Sequence, residues 1–125
     1  MKVLIADDDR VLTHLLSSRL RAKGAETILA HDAMQAFMTA LRSQPDVIVL
    51  DVQMPGGTGI EALKKLKQSA RTSQIPVIVL SGSVEPETTE VVKALGAIEF
   101  LLKPVDPEAL YRVLCTSLAP QERAG

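Results

Sequence analysis

Aromatic side chains are nearly missing from this chain: there is no tryptophan, and the rings are Phe37, Phe100 and Tyr111. Three rings are too few for a base-stacking platform or a flavin sandwich. Cys115 is the single cysteine, so no intrachain disulfide can form. Lying in the apolar stretch 110–118, it reads as a buried structural thiol. An excess of charge of either sign is lacking too. Lys and Arg number 14 against 15 Asp and Glu, a net charge of −1. That balance offers nucleic acid or an anionic membrane no bulk attraction. No apolar run approaches the roughly 20 residues that span a bilayer. The N-terminal run stops at Asp7, too short for a signal-peptide core. A cytoplasmic address is the expectation that follows, with no membrane partner and no direct nucleic-acid binding.

What is present is a chain of 125 residues, 46% hydrophobic, with enough length for one domain around a real core. Five short apolar runs, 3–6, 27–30, 47–50, 77–80 and 98–102, are largely unbroken by polar residues. Strands covered on both faces read this way. Between them lie helical patterns. Val11, Leu12, Leu15, Leu16 and Leu20 recur at helical spacing, and Gly24 supplies a stop. Asp32 opens a second helix that runs to about Ser43, before Pro45. Thr58-Gly59-Ile60-Glu61 is a capping box for a third, with Leu63 and Leu66 on one face. Pro86 fits the first turn of a fourth, with Val91, Val92 and Leu95 on its apolar side. Asp106-Pro107 opens the fifth as N-cap and first helical position. Residues 1–118 make the domain, and 119–125 read as a frayed tail or the start of a linker.

Strand–helix alternation five times over predicts an α/β fold: a five-stranded parallel sheet, doubly wound, with helices on both faces. Ligands of such sheets bind beyond the carboxyl ends of the strands, where strand order reverses. Asp7, Asp8, Asp51 and Lys103 all fall at or just past such an end. Crowded carboxylates raise one another's pKa values, and a hard divalent cation relieves that cost. The residues alone therefore point to a magnesium-dependent phosphoryl-acceptor site.

The pattern Asp7-Asp8, Asp51 with Met54-Pro55 and Gly59, Ser81-Gly82, and Lys103-Pro104 resembles the receiver domain of two-component response regulators, the CheY-like family. The match covers nearly the whole chain, in order. It implies the flavodoxin-like strand order 2-1-3-4-5. It also implies that Asp51 is the nucleophile, taking a phosphoryl group from a sensor histidine kinase or phosphotransfer protein. Asp8 and Asp51 would ligate Mg2+ (or Mn2+) directly, Asp7 through a water, and Gln53 through its backbone carbonyl. Asp9 is read as the N-cap of the first helix. Ser81 would donate its hydroxyl to a phosphoryl oxygen, Gly82 would leave room for the donor, and Lys103 would pair with the phosphoryl oxygens. The resemblance implies a cis Lys103–Pro104 bond aiming the Lys103 amine into the site. Gln53 and Ser83 flank the site and bear on the hydrolytic water.

Phe100 falls at the family's switch aromatic. Phosphorylation would shift two pre-existing states of the fourth helix, fifth strand and fifth helix. That face would include Lys93, Glu99, Phe100 and Arg112 and could support a homodimer. The chain is then a signalling domain that catalyses only its own phosphorylation and dephosphorylation. His14, facing solvent, and His31 have no neighbours at metal-ligand spacing. Met34, Met38 and Met54 read as filler or loop anchors.

Three other readings compete. The run 5–11 also resembles the first motif of haloacid-dehalogenase-like phosphohydrolases, with Asp7 as nucleophile and Asp9 as acid/base. Ser81 and a later lysine mimic that family's next motifs. The chain is short for such an enzyme, Asp106 and Glu108 sit at a helix start rather than forming a late acidic pair, and Asp51 is left idle. A flavin carrier needs a hydroxyl- and glycine-rich phosphate loop where three aspartates stand. A receiver-like module that is never phosphorylated would have no use for the complete acceptor set.

Overall fold

The computed structural model describes residues 1–54, 59–82 and 86–124, with side chains described through Leu118. Thr58 of the capping box, Pro55 and Ser83 lie outside the described residues. The elements alternate as the apolar runs predict: β1 (Lys2–Ala6), α1 (Arg10–Ala22), β2 (Glu26–Ala30), α2 (Ala33–Ser43), β3 (Val47–Asp51), α3 (Gly59–Gln68), β4 (Val77–Ser81), α4 (Pro86–Ala94), β5 (Glu99–Leu102) and α5 (Pro107–Ala124). The strands form one parallel sheet in the order β2-β1-β3-β4-β5.

Successive strand residues face opposite sides of a sheet, and here they divide the core in two. Leu4, Ala6, Ile48, Leu50, Val77 and Val79 pack against α2, α3 and α4. Val3, Ile5, Val47, Val49, Ile78 and Leu80 pack against α1 and α5 through Leu16, Leu20, Leu110 and Leu114. β3 and β4 are buried at every position. That is why their runs contain no polar break before Asp51 and Ser81. The edge strands β2 and β5 are only partly covered.

Local chemistry starts and stops the helices as their sequences suggest. Asp9 caps α1, accepting from Leu12 N–H at 3.0 Å, and Asp32 caps α2, accepting from Gln35 N–H at 2.8 Å. Gly24 sits at φ +96°, a left-handed turn after α1 that glycine enters without steric cost.

Some expectations need correcting. Val11 is 80% exposed and Leu15 is 46% exposed. The inward face of α1 uses Thr13 and Ser17 instead, buried beside Leu16 and Leu20. Their hydroxyls are satisfied, Thr13 by the Arg10 carbonyl and Ser17 by Thr27. Cys115 is half-buried, not buried. It follows Leu114, whose side chain points to the core, and one step along a helix turns the next residue about 100° aside. On α4, Val92 is buried while Val91 stays exposed. The backbone of α5 runs from Pro107 to Ala124.

Candidate functional site

The site lies where strand order reverses, at the carboxyl ends of β1 and β3. Ala6 pairs with Leu50, so Asp7 and Asp51, the next residues, emerge side by side. Asp7 is held by its N–H, which donates to the Ala30 carbonyl at 3.0 Å. Its Oδ1 accepts from Asp9 N–H at 3.0 Å. Asp51 Oδ1 accepts from Gln53 N–H at 2.9 Å. Both carboxylates are buried, whereas Asp8 is exposed.

Lys103 arrives from the other side of β4. Its backbone N–H donates to the Ser81 carbonyl at 2.8 Å. Its Nζ stands 2.7 Å from Asp7 Oδ2 and 3.2 Å from Asp51 Oδ2. The Asp7 contact is an ion pair without hydrogen-bond alignment, and Asp7 Oδ2 is buried with no aligned donor. The Lys103–Pro104 peptide is cis, as the resemblance implied. Ser81 is buried at the end of β4, in register with Leu102. Gly82 is exposed just beyond it.

Electrostatics follow from this crowding. Burial raises the pKa of Asp51. The neighbouring Asp7 charge raises it further, against the opposing pull of the Gln53 N–H and Lys103. For Lys103, burial acts to lower the pKa, but the Asp7 and Asp51 carboxylates outweigh it and hold the amine protonated. Three carboxylates meet one ammonium, so negative charge is in excess. Oxygens of Asp7, Asp8 and Asp51 lie within 4.8 Å of one another. An all-oxygen, acid-rich donor set with a buried oxygen lacking an aligned donor suits a hard divalent cation.

Gly59 fixes the third wall. A Cβ there would collide with the Asp51 carbonyl oxygen and the Val52 backbone. Only glycine lets the start of α3 approach the end of β3 so closely. Met54 is buried in the core cluster, a loop anchor as expected. Phe100 is half-buried against the α2–α3–α4 side, opposite Val79.

Two contacts went unread in the sequence. His31 Nδ1 lies 3.1 Å from the Asp7 carbonyl oxygen. A carbonyl can only accept, so Nδ1 carries the proton. The position of His31 straight after β2, the neighbour of β1, was the available signal. Gln53 Oε1 accepts from Gly82 N–H at 2.8 Å, a bond that no sequence pattern marks. Asp9, the acid/base of the hydrolase reading, spends its carboxylate on the α1 cap, while Asp51, idle in that reading, is central.

The family model described as response regulator receiver domain matches residues 3–114. The chain belongs to that family. The receiver domain is 34% identical over 119 residues to PilH of Pseudomonas aeruginosa, covering 94% of this chain and 98% of PilH. It is 40% identical to the transcriptional regulatory protein CpxR of Escherichia coli over 87% of this chain, but spans only 45% of CpxR. Among solved structures, CheY4 of Vibrio cholerae matches with a TM-score of 0.87 and 34% identity, over 92% of this chain and 96% of that one. The receiver domain of a Pseudomonas aeruginosa sensor histidine kinase, solved with magnesium coordinated in its active-site cleft, matches with a TM-score of 0.82 and 26% identity, over 90% and 93%. The hydrolase and flavin-carrier readings find no support. Among the described residues, no helix of this receiver is long and apolar enough to cross a membrane.

Proposed function

We propose that Asp51 is the phosphoacceptor of this receiver domain and that Lys103 and Ser81 complete the transfer site. The observation that carries the reading is the convergence of buried Asp51 with Asp7 and Lys103, at 3.2 Å from the Lys103 amine. Phosphoryl transfer needs positioning and charge neutralisation more than covalent chemistry from the protein. An Asp51 oxygen forms the new bond to phosphorus as the donor's P–N bond breaks, and the donor histidine, protonated on its other ring nitrogen, keeps the electron pair and leaves as neutral imidazole. Lys103 stays protonated and moves its charge from the carboxylates toward the phosphoryl oxygens. Ser81, buried at the adjacent strand end, supplies its hydroxyl as a donor.

Asp8 and Asp51, the Gln53 carbonyl, and Asp7 through a water would hold Mg2+ (or Mn2+). Magnesium coordinated in the cleft of the similar receiver structure supports a cation here, and the clustered Asp7, Asp8 and Asp51 oxygens favour these carboxylates as its holders. When bound, the cation supplies Lewis-acid neutralisation of charge on the transferring group. The domain acts as a signalling switch, transforming no substrate beyond its own phosphoaspartate. A histidine kinase or phosphotransfer protein is the donor, and the address is cytoplasmic. The output face is α4-β5-α5, with Phe100 as the switch aromatic and Lys93, Glu99 and Arg112 able to pair across a homodimer. Equal masses in solution with and without a phosphoryl mimic would remove the dimer from this reading.

Acetyl phosphate with magnesium should add the mass of one phosphoryl group to the intact protein. Chelator or Asp51→Asn should abolish the addition. Uptake that survives Asp51→Asn but is lost in Asp7→Asn would restore the hydrolase reading. No uptake from any donor would leave the unphosphorylated module.

A further inference from the structure

β3 has a different neighbour on each side. On the β1 side Asp51 meets Asp7. On the β4 side lie Ser81 and Gly82. A side chain ties the loops on that second side. The Gln53 backbone N–H donates to Asp51 Oδ1 at 2.9 Å, while Gln53 Oε1 accepts from the Gly82 N–H at 2.8 Å. The two ends of this bridge are 29 positions apart in the chain. The fit is close: a Cβ on Gly82 would stand 3.1 Å from Gln53 Oε1. Gln53 and Gly82 are both exposed, so this neutral bond sits at the water-facing mouth of the site and not in the core.

We propose that Gln53 is a positioning residue that latches the unmodified site. Its carboxamide occupies the Gly82 amide, and a phosphoryl group arriving on Asp51 must displace it to use that donor. The inference rests on the reading of Asp51 as acceptor. A phosphoryl group brings roughly two negative charges and three strong acceptor oxygens. Hydrogen bonds to such oxygens are about twice as strong as neutral ones, so the exchange runs toward phosphate. The amide is nevertheless not vacant beforehand. The Gln53 bond stabilises the unmodified state alone, and phosphoryl affinity falls by the factor that this bond contributes. Release of the carboxamide also uncouples Gly82, the residue after β4, from Gln53 beyond the end of β3. Gln53 thereby joins the occupancy of Asp51 to the start of the switch.

Gln53→Met tests this, because it keeps the length of the side chain and both backbone groups while removing the carboxamide, and a Gln53→Glu variant separates its acceptor oxygen from its donor. Wild type and variant are titrated with beryllofluoride in saturating magnesium and followed by amide NMR. The variant should bind roughly three- to tenfold tighter, the factor that a neutral hydrogen bond contributes. Its ligand-free Gly82 amide should exchange with water faster than in wild type, while core-strand amides keep their protection. Gln53→Glu, which restores an acceptor, should return protection to Gly82. Equal or weaker binding by Gln53→Met, or unchanged Gly82 exchange, overturns the latch while leaving Asp51 as acceptor. Failure of the wild type to bind beryllofluoride overturns the acceptor reading and the latch with it.

Discussion

Asp51→Asn should abolish phosphoryl uptake and at the same time make the fold more stable. The oxygens of Asp7, Asp8 and Asp51 lie within 4.8 Å of one another. At an effective dielectric constant near 20, each such like-charge pair costs about 3.5 kcal/mol. The Lys103 amine at 3.2 Å returns about 5 kcal/mol to Asp51. Removing the Asp51 charge therefore relieves about 7 kcal/mol of repulsion and forfeits about 5 kcal/mol of attraction, a net gain of about 2 kcal/mol. Asp8 is exposed, so solvent trims the gain toward about 1 kcal/mol. For a domain of this size, that is a rise in melting temperature of roughly 3–5 °C.

The pH dependence has a definite sign. Burial, aided by the Asp7 charge, raises the Asp51 pKa in the folded protein. The contribution of Asp51 to stability is then full below its unfolded value of 3.8 and is lost as pH rises through the folded value. The advantage of Asp51→Asn should be largest at neutral pH and fade as pH falls toward 3.8. Thermal unfolding followed by circular dichroism, at pH 7 in chelator, reads it directly. Added magnesium should narrow the gap, because a ligand of the native state stabilises the protein that binds it better. A variant that melts at or below wild type in chelator at pH 7 would refute the reasoning.

Other consequences follow from the same geometry. Lys103→Met leaves buried Asp7 and Asp51 without their cation and should cost about 3–5 kcal/mol in urea unfolding, with part recovered by millimolar magnesium or by adding Asp51→Asn. Gly59→Ala drives a Cβ into the Asp51 carbonyl and Val52 backbone. It should destabilise by about 1–3 kcal/mol and slow phosphoryl uptake, because the end of β3 must shift. Asp9→Ala removes the α1 cap and should cost about 1 kcal/mol while leaving phosphoryl uptake intact. A loss of uptake there would count against confining its role to the helix.

The fold was legible because strands buried on both faces cannot carry polar residues until they end. Val47–Leu50 and Val77–Leu80 run apolar, and the first polar residues, Asp51 and Ser81, mark the functional edge. The strand-end rule then brought Asp7, Asp51 and Lys103 together from positions far apart in the chain. What stayed hidden depends on contacts that hydrophobicity does not encode. Thr13 and Ser17 face the core because their hydroxyls find local partners, so the inward face of α1 is not the one that Val11 and Leu15 suggested. The Asp7 carbonyl meets His31 only because β2 lies beside β1. The Gln53–Gly82 bond joins a side chain to a backbone amide, and a backbone amide has no residue type to read.

The most direct test is to locate the modified residue itself. The protein is treated with acetyl phosphate and magnesium, the acyl phosphate is trapped by borohydride reduction, and the peptides are sequenced by mass spectrometry. A single reduced aspartate at position 51, lost when magnesium is chelated, is the result expected here. Reduction at Asp7 or Asp8, or at no aspartate, would contradict it.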